Sequence, residues 1–298
     1  MAKFAKSSTQ AEKAVRANLA LGAPRHGNRK SGKIHSVGTA RNFASALKKV
    51  ADWMKECRLG HGLPKLTAQE AMRFLVDQAS QVKQATLDQY RQAVEKHLGL
   101  KFERIKSEAA TSKSGRAYSN DQVRAISNAQ APHNKLATEI AREAGIRAHE
   151  LHTLGRFSEQ PPSAHREWDK AHFAGRENWS RYTVVGKGGL TREVRLPTDL
   201  ASRLEETRKE KPTSIRDRRI NYQKRYTIGG GNAWSKSVSK ASKKVLGWSN
   251  GAHGFRYAYA QERMGENQKT GFSYHEALAR VAQELGHFAP STTEVYLR

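Results

Sequence analysis

The sequence predicts a mainly α-helical protein with a small β-sheet (α+β), built as two domains. Three observations predict it. Apolar residues recur at helical spacing through most of the chain. Only one pair of β-prone runs stands out, Arg181 to Val185 and Glu193 to Leu196, flanking Gly186-Lys187-Gly188-Gly189 as a hairpin would. A small, polar stretch at 108–117 (EAATSKSGRA) has the composition of a linker between domains.

The elements follow in order. Residues 1–36 are rich in Lys, Arg, Ser, Gly and Ala, with Arg25, Arg29, Lys30 and Lys33 set among glycines and a proline. Such a segment buries little, so a basic, flexible N-terminal arm is expected. Residues 37–107 read as short helices with basic outer faces, the make-up of a small DNA-binding domain. Phe43, Leu47, Val50 and Met54 mark one apolar stripe, and Gly60, Gly62 and Pro64 interrupt it. Thr67 with Glu70, and Thr86 with Gln89, have the spacing of capping boxes that open two further helices. In the domain spanning 118–298, Ser119 and Gln122 suggest another box, and helical periodicity runs from Leu136 towards Leu151. After the hairpin the chain reads as helical again, apart from a break at Gly229 to Gly231. Ser291 and Glu294 suggest a last capping box that places Tyr296 in the early turns of a short helix.

Charge narrows the partner. Lys and Arg number 53 against 28 acids in 298 residues, a formal net charge of +25. A surplus that large repels itself unless it meets a polyanion, which points to nucleic acid. The single cysteine, Cys57, has no intramolecular disulfide partner and sits in an apolar helical pattern, as a buried thiol in a reducing compartment would. No run approaches 18 apolar residues and no hydrophobic segment follows the basic N-terminus. A cytoplasmic, nucleoid-associated protein without a membrane span is expected.

Four separated segments carry the chemistry: Ala144-Gly145-Ile146-Arg147-Ala148-His149-Glu150-Leu151; the glycine turn bearing Lys187; His253-Gly254-Phe255-Arg256; and Leu285-Gly286-His287, followed by Tyr296. Singly each is ordinary. An arginine in so basic a chain is by default a salt bridge or a plain phosphate contact, and Gly-Lys-Gly is a common solvated turn. In this order and spacing, however, the chain resembles the catalytic domain of the tyrosine recombinases, the phage-integrase family. The motifs cover roughly residues 117–298, and the helical region before them matches a core-binding domain in position and type alone.

The resemblance implies a C-shaped clamp on duplex DNA and a reaction that cuts and rejoins it through a 3′-phosphotyrosine. Arg147 and Arg256 would clamp the non-bridging oxygens of the scissile phosphate, in a geometry lysine does not reproduce. Tyr296, a phenol with a pKa of about 10, would be the nucleophile and needs a base. The resemblance makes His253 that base, Lys187 the acid for the departing 5′-oxygen and His287 a phosphate hydrogen-bond donor. Glu150, three residues after Arg147 on one helical face, would orient its neighbours. The bond energy stays in the phosphotyrosine, so no cofactor is expected, and no Walker-type loop is present. His149 and His152 beside Glu150 lack the H-E-x-x-H arrangement, so no metal is expected. The implied partners are specific recombination sites, a homotetramer exchanging strands through a Holliday junction, and accessory DNA-bending proteins.

There are departures. Phe255 replaces the usual leucine of the H-x-L-R box. GENQKTGFSYHEA, residues 265–277, lengthens the stretch before His287 and reads as a surface insertion. Only Leu297 and Arg298 follow Tyr296, where many members carry a helix that docks on the neighbouring protomer, so assembly through the N-terminal arm or the insertion is expected instead. Two other readings share these residues: a type IB topoisomerase or telomere-resolving relative, and a DNA-binding accessory factor that no longer turns over.

Overall fold

In a computed structural model, residues 5–21, 31–109, 115–186 and 188–298 are described. The chain divides into two compact units, Met1–Lys113 and Ser114–Arg298. It is mainly α-helical with small antiparallel sheets, as the apolar periodicity requires.

The first unit is helical. The stripe read from the sequence becomes α2 (Val37–Glu56), which buries Leu47, Val50 and Met54. These pack with Phe74 and Leu75 of α3 (Ala68–Ala79) and Tyr90 and Val94 of α4 (Gln84–Leu98). Thr67 and Glu70 do form a reciprocal capping box on α3. The box expected at Thr86 and Gln89 does not form, because α4 begins three residues earlier, after Lys83. The Gln84 side chain turns outward from that helix to hold the chain leaving it, donating to Ile105 O (3.0 Å) and accepting from Ser107 N (2.7 Å).

The flexible arm also needs correction. Ser7–Arg16 is a helix, α1, with Ala11 and Val15 buried in the same core as α2. Gln10 Oε1 accepts from Leu63 N at 2.8 Å, and Leu19 bridges Ile34, itself buried. Composition hid this, because two small apolar residues one turn apart suffice to seat a short helix. Arg25, Arg29 and Lys30 lie outside the described residues.

In the second unit the Ser119/Gln122 box caps α5 (Asn120–Asn128), which packs beside α6 (Pro132–Ala144). Three antiparallel strands follow, β1 (Gly155–Arg156), β2 (Ser180–Val185) and β3 (Thr191–Leu196), with Val185 opposite Thr191 at the expected glycine turn. Val184, Val194 and Leu196 join Ile140, Trp234 and Phe255 in the main core. Beyond α7 (Thr198–Glu205), the sequence reading missed a hairpin, β4 (Arg208–Asp217) with β5 (Ile220–Tyr226). It lacks the alternation that betrays a strand, since most of its positions are polar and Pro212 lies within it.

Three helices complete the unit: α8 (Gly231–Leu246), α9 (His253–Lys269) and α10 (Tyr274–Glu284). Residues 265–277, expected as a surface insertion, are mostly exposed between 268 and 276 but are tied into two helices. They end α9, turn at Gly271 (φ 95°) and open α10 with a Ser273/Glu276 capping box, while Asn267 and Ala277 are fully buried. A buried ionic contact fixes how these two helices pair: Arg263 donates to both oxygens of Glu284 (2.7 and 2.9 Å), and Tyr259 Oη donates to Glu284 as well (2.7 Å). Arg263 outweighs burial and keeps that carboxyl below its ordinary range. Pairing of this kind specifies register more than it stabilises. Among the described residues no helix is long and apolar enough to cross a membrane.

Candidate active site

Helix α6 stops at Gly145, whose φ of 56° lies in the left-handed region. A Cβ there would stand 2.5 Å from the buried Tyr259 ring, so both conformation and space demand glycine. The chain then folds into a tight turn closed by a 3-10 helix at Glu150–His152, rather than the continuous helix expected towards Leu151. Arg147 and Glu150 therefore meet across a turn and not along one α-helical face. Arg147 donates to Glu150 from its backbone N and from its guanidinium, each at 2.7 Å.

Glu150 is fully buried and has a second partner residue that the sequence reading missed. Arg192, on β3, donates to Glu150 Oε2 at 2.9 Å and to the Glu284 carbonyl at 2.5 Å. A signal was available: Arg192 shares its strand face with Val194 and Leu196, so an arginine sits in register with core residues. Burial opposes ionisation of Glu150, but Arg192, Arg147 and Arg256 outweigh it and hold the carboxyl far below its ordinary range. Gly286, at φ 70°, lets the backbone pass over Arg192, where a Cβ would lie 2.9 Å from the side chain.

The start of α9 presents His253 and, one turn on, Arg256. Arg256 is fully buried, donating to the carbonyls of Gly145 and Leu285. Its pKa is lowered to about 9 by burial and then by Arg147, so it stays charged at neutral pH. His287 follows α10 and places Nε2 between the two guanidiniums, 3.0 Å from Arg147 and 3.2 Å from Arg256. Guanidinium nitrogens only donate, so Nε2 bears the lone pair and Nδ1 carries the proton toward Thr293 Oγ1, 3.1 Å away.

Tyr296 completes the cluster. It lies in a 3-10 turn, Val295–Leu297, directly after the five-residue helix α11 (Pro290–Glu294). The capping box expected from Ser291 and Glu294 is absent, because α11 opens on Pro290 with no side-chain cap. The tyrosine is 8% exposed, and its hydroxyl is 3.0 Å from His253 Nε2. Its ring lies 5.4 Å from the Arg256 guanidinium carbon.

Both histidines are held neutral. Partial burial of the ring, then Arg256 and Arg147, push His253 down to about 4, even though the residue as a whole remains exposed at its outer edge. The same causes push His287 to about 3. At neutral pH His253 thus offers an unprotonated imidazole beside the phenol. Lys187 lies outside the described residues, but the root of its turn is near: a Cβ on Gly186 would be 3.2 Å from Glu150 Oε1. The structure thus brings together Arg147, Glu150, His253, Arg256, His287 and Tyr296. Among the described residues no group of His, Cys, Asp and Glu is placed to hold a metal ion.

No family model matches the sequence, and no curated protein is matched by it. Solved structures do match. The XerH site-specific recombinase, in a post-cleavage complex with a palindromic difH substrate, aligns with a TM-score of 0.59 at 15% identity, over 99% of this chain and 94% of that one. A lambda integrase tetramer bound to a Holliday junction gives 0.52 at 15%, over 96% and 80%. The Tn1549 transposon integrase with circular-intermediate DNA gives 0.50 at 12%, over 98% and 94%. These proteins are tyrosine recombinases, and this chain has their fold over nearly its whole length.

Proposed function

We propose that this protein is a DNA strand transferase of the tyrosine-recombinase kind, which cleaves and rejoins specific duplex sites through Tyr296. One observation carries the reading. The Tyr296 hydroxyl is hydrogen-bonded to a neutral His253, while Arg147 and Arg256 converge on a single acceptor, His287 Nε2. Two guanidiniums aimed at one lone pair make a site for a phosphate oxygen.

In the reaction, the Tyr296 oxygen attacks phosphorus and its proton passes to His253 Nε2. The bond from phosphorus to the 5′-oxygen breaks, leaving a 3′-phosphotyrosine and a 5′-hydroxyl. Lys187 protonates that oxygen, a role assigned on the family resemblance. The 5′-hydroxyl of a second strand reverses the step, so ligation draws on the retained phosphoester energy. Arg256 has no exposed surface, so phosphate reaches it as His287 Nε2 and the Tyr296 ring give way. Arg147, with 23% of its side chain exposed, meets the phosphate first. By extension from the lambda integrase tetramer, four protomers would exchange strands through a Holliday junction.

The test uses duplexes selected for binding from a random-sequence pool and nicked so that the released 5′-end diffuses away. The wild-type chain should form a detergent-stable adduct at Tyr296, and Tyr296→Phe should bind the same duplexes without forming one. An adduct that survives Tyr296→Phe, or none from the wild type, refutes the reading.

A further inference from the structure

The β4–β5 hairpin has no part in the site described above, yet it is built at a conformational cost. Its two-residue turn places Arg218 (φ 49°) and Arg219 (φ 69°) both in the left-handed region. Turns of this form favour Asn-Gly, because a Cβ is strained there. Two arginines in succession are the opposite choice, and such strain persists where it serves a function.

The surroundings say what the arginines face. Residues 208–226 carry eight lysines and arginines against Glu210 and Asp217. At the hairpin's base Arg208 and Arg225 share Glu159, so that charge is partly neutralised. At the tip, Arg216, Arg218 and Arg219 are exposed and none has a carboxylate within ion-pair distance among the described residues. The tip is also anchored beside the candidate active site. Asp217 accepts from Asn232 N, Arg218 donates to Asn232 Oδ1, and the neighbouring Gly231 N donates to Ala148 O, one residue past Arg147. His152 packs against Tyr222 on the inner face of the hairpin, with ring centroids 5.4 Å apart. Lysines along exposed strands guard against edge-to-edge pairing. That accounts for Lys209 and Lys211, but not for arginines forced into a left-handed turn.

We propose that the hairpin tip is a second phosphate-binding element for duplex DNA, gripping the backbone beside the scissile phosphate through Arg218 and Arg219. The inference rests on the proposed function and adds to it a contact outside the catalytic cluster. Each phosphate neutralised steepens the salt dependence of binding, adding about 0.9 to the magnitude of the slope of log affinity against log salt.

The experiment compares the full-length chain with the double variant Arg218→Asn, Arg219→Gly. That variant removes both charges and relieves the turn, so its melting temperature should hold or rise. Its affinity for duplex DNA should fall roughly tenfold at ~0.1 M salt, about equally across sequences, and its salt slope by about 2. Arg218→Lys with Arg219→Lys should keep the slope. A folded Asn-Gly variant with unchanged affinity and slope overturns the proposal and leaves the charges as solubility guards. Adduct formation by the wild type on nicked duplex is measured in parallel. Its absence would remove the proposed reaction, whereas an intact adduct with an unchanged slope removes only the role of the hairpin.

Discussion

Arg192→Met tests whether the third arginine holds the turn that carries Arg147 and Glu150. The wild-type side chain is almost wholly buried and bridges two elements, the Glu150 carboxylate at 2.9 Å and the Glu284 carbonyl at 2.5 Å. Methionine fills similar volume but donates nothing. It leaves Glu284 O without that donor and leaves Glu150, fully buried, to Arg147 alone. Removing one partner of a buried pair costs about 3–5 kcal/mol. In a unit of this size each kcal/mol moves the melting midpoint by about 2–4 °C, so a fall of roughly 10 °C is expected. Denaturant unfolding of Arg192→Met, Glu150→Gln and the double variant supplies the decisive number. With the carboxylate's charge gone, loss of Arg192 matters less, and the double variant should lose about 1–3 kcal/mol less than the sum of the singles. Additivity within about 0.5 kcal/mol would refute the coupling, and with it the view of Arg192 as a positioning residue for Arg147.

Other outcomes follow from the same geometry. Gly145→Ala meets both a positive φ and the Tyr259 ring, so it should destabilise by more than about 1 kcal/mol in thermal unfolding; a neutral effect would show that the turn can relax. Val15→Asp should destabilise the first unit by about 2 kcal/mol or more, measured by urea unfolding, because it buries an unpaired carboxylate; a change under about 0.5 kcal/mol would mean α1 is not seated. Five histidines, at 149, 152, 172, 253 and 287, are lowered chiefly by burial, His253 to about 4 and His287 to about 3. The unfolded chain therefore binds more protons than the folded one once pH drops below about 6.5, and stability must fall with acidification from there toward 4. A melting midpoint that stays level or rises between pH 7 and pH 5 would contradict those shifts. For the same reason adduct formation at subsaturating DNA, which reports the free enzyme, should persist at pH 6, with its acid limb below 6.5; a limb centred on 6.5 in that regime would mean an unperturbed base.

What could be read in the sequence was what repeats or what pairs locally. The α2 stripe, the Thr67 and Ser119 boxes and the glycine turn between β2 and β3 each rest on spacing within a few residues, and each formed. The same rule misled where spacing was right but another bond was better. Gln84 started α4 early to hold Ser107, a partner 23 residues away, and Pro290 opened α11 in place of the Ser291 box. Arg192 could be seen only as an arginine in register with core residues, because its partners, like the reasons for the β4–β5 hairpin, are non-local. Arg192 is explained by Glu150 and Glu284, and the hairpin by its docking on His152 and Asn232. The candidate site residues were legible as ordered motifs, but that His253, rather than another base, faces Tyr296 depends on how α9 and the last turn pack.

The electrostatics of the cluster tie activation to binding. Three guanidiniums, Arg147, Arg192 and Arg256, surround one carboxylate, Glu150, so the free site holds an uncompensated positive charge. That excess, added to burial, is why both histidines stay neutral. A base pushed down to about 4 draws only weakly on a phenol whose ordinary pKa is about 10. A phosphodiester entering between Arg147 and Arg256 brings the missing negative charge, and a nearby anion favours the protonated imidazole. Under the proposed function, His253 would then become a stronger base only with the phosphate in place. On the proposed reaction, the arginines that would clamp the phosphate would thus also restrain Tyr296 in its absence, and a residue that keeps their number and geometry fixed, as Arg192 does through Glu150, would act on both steps at once.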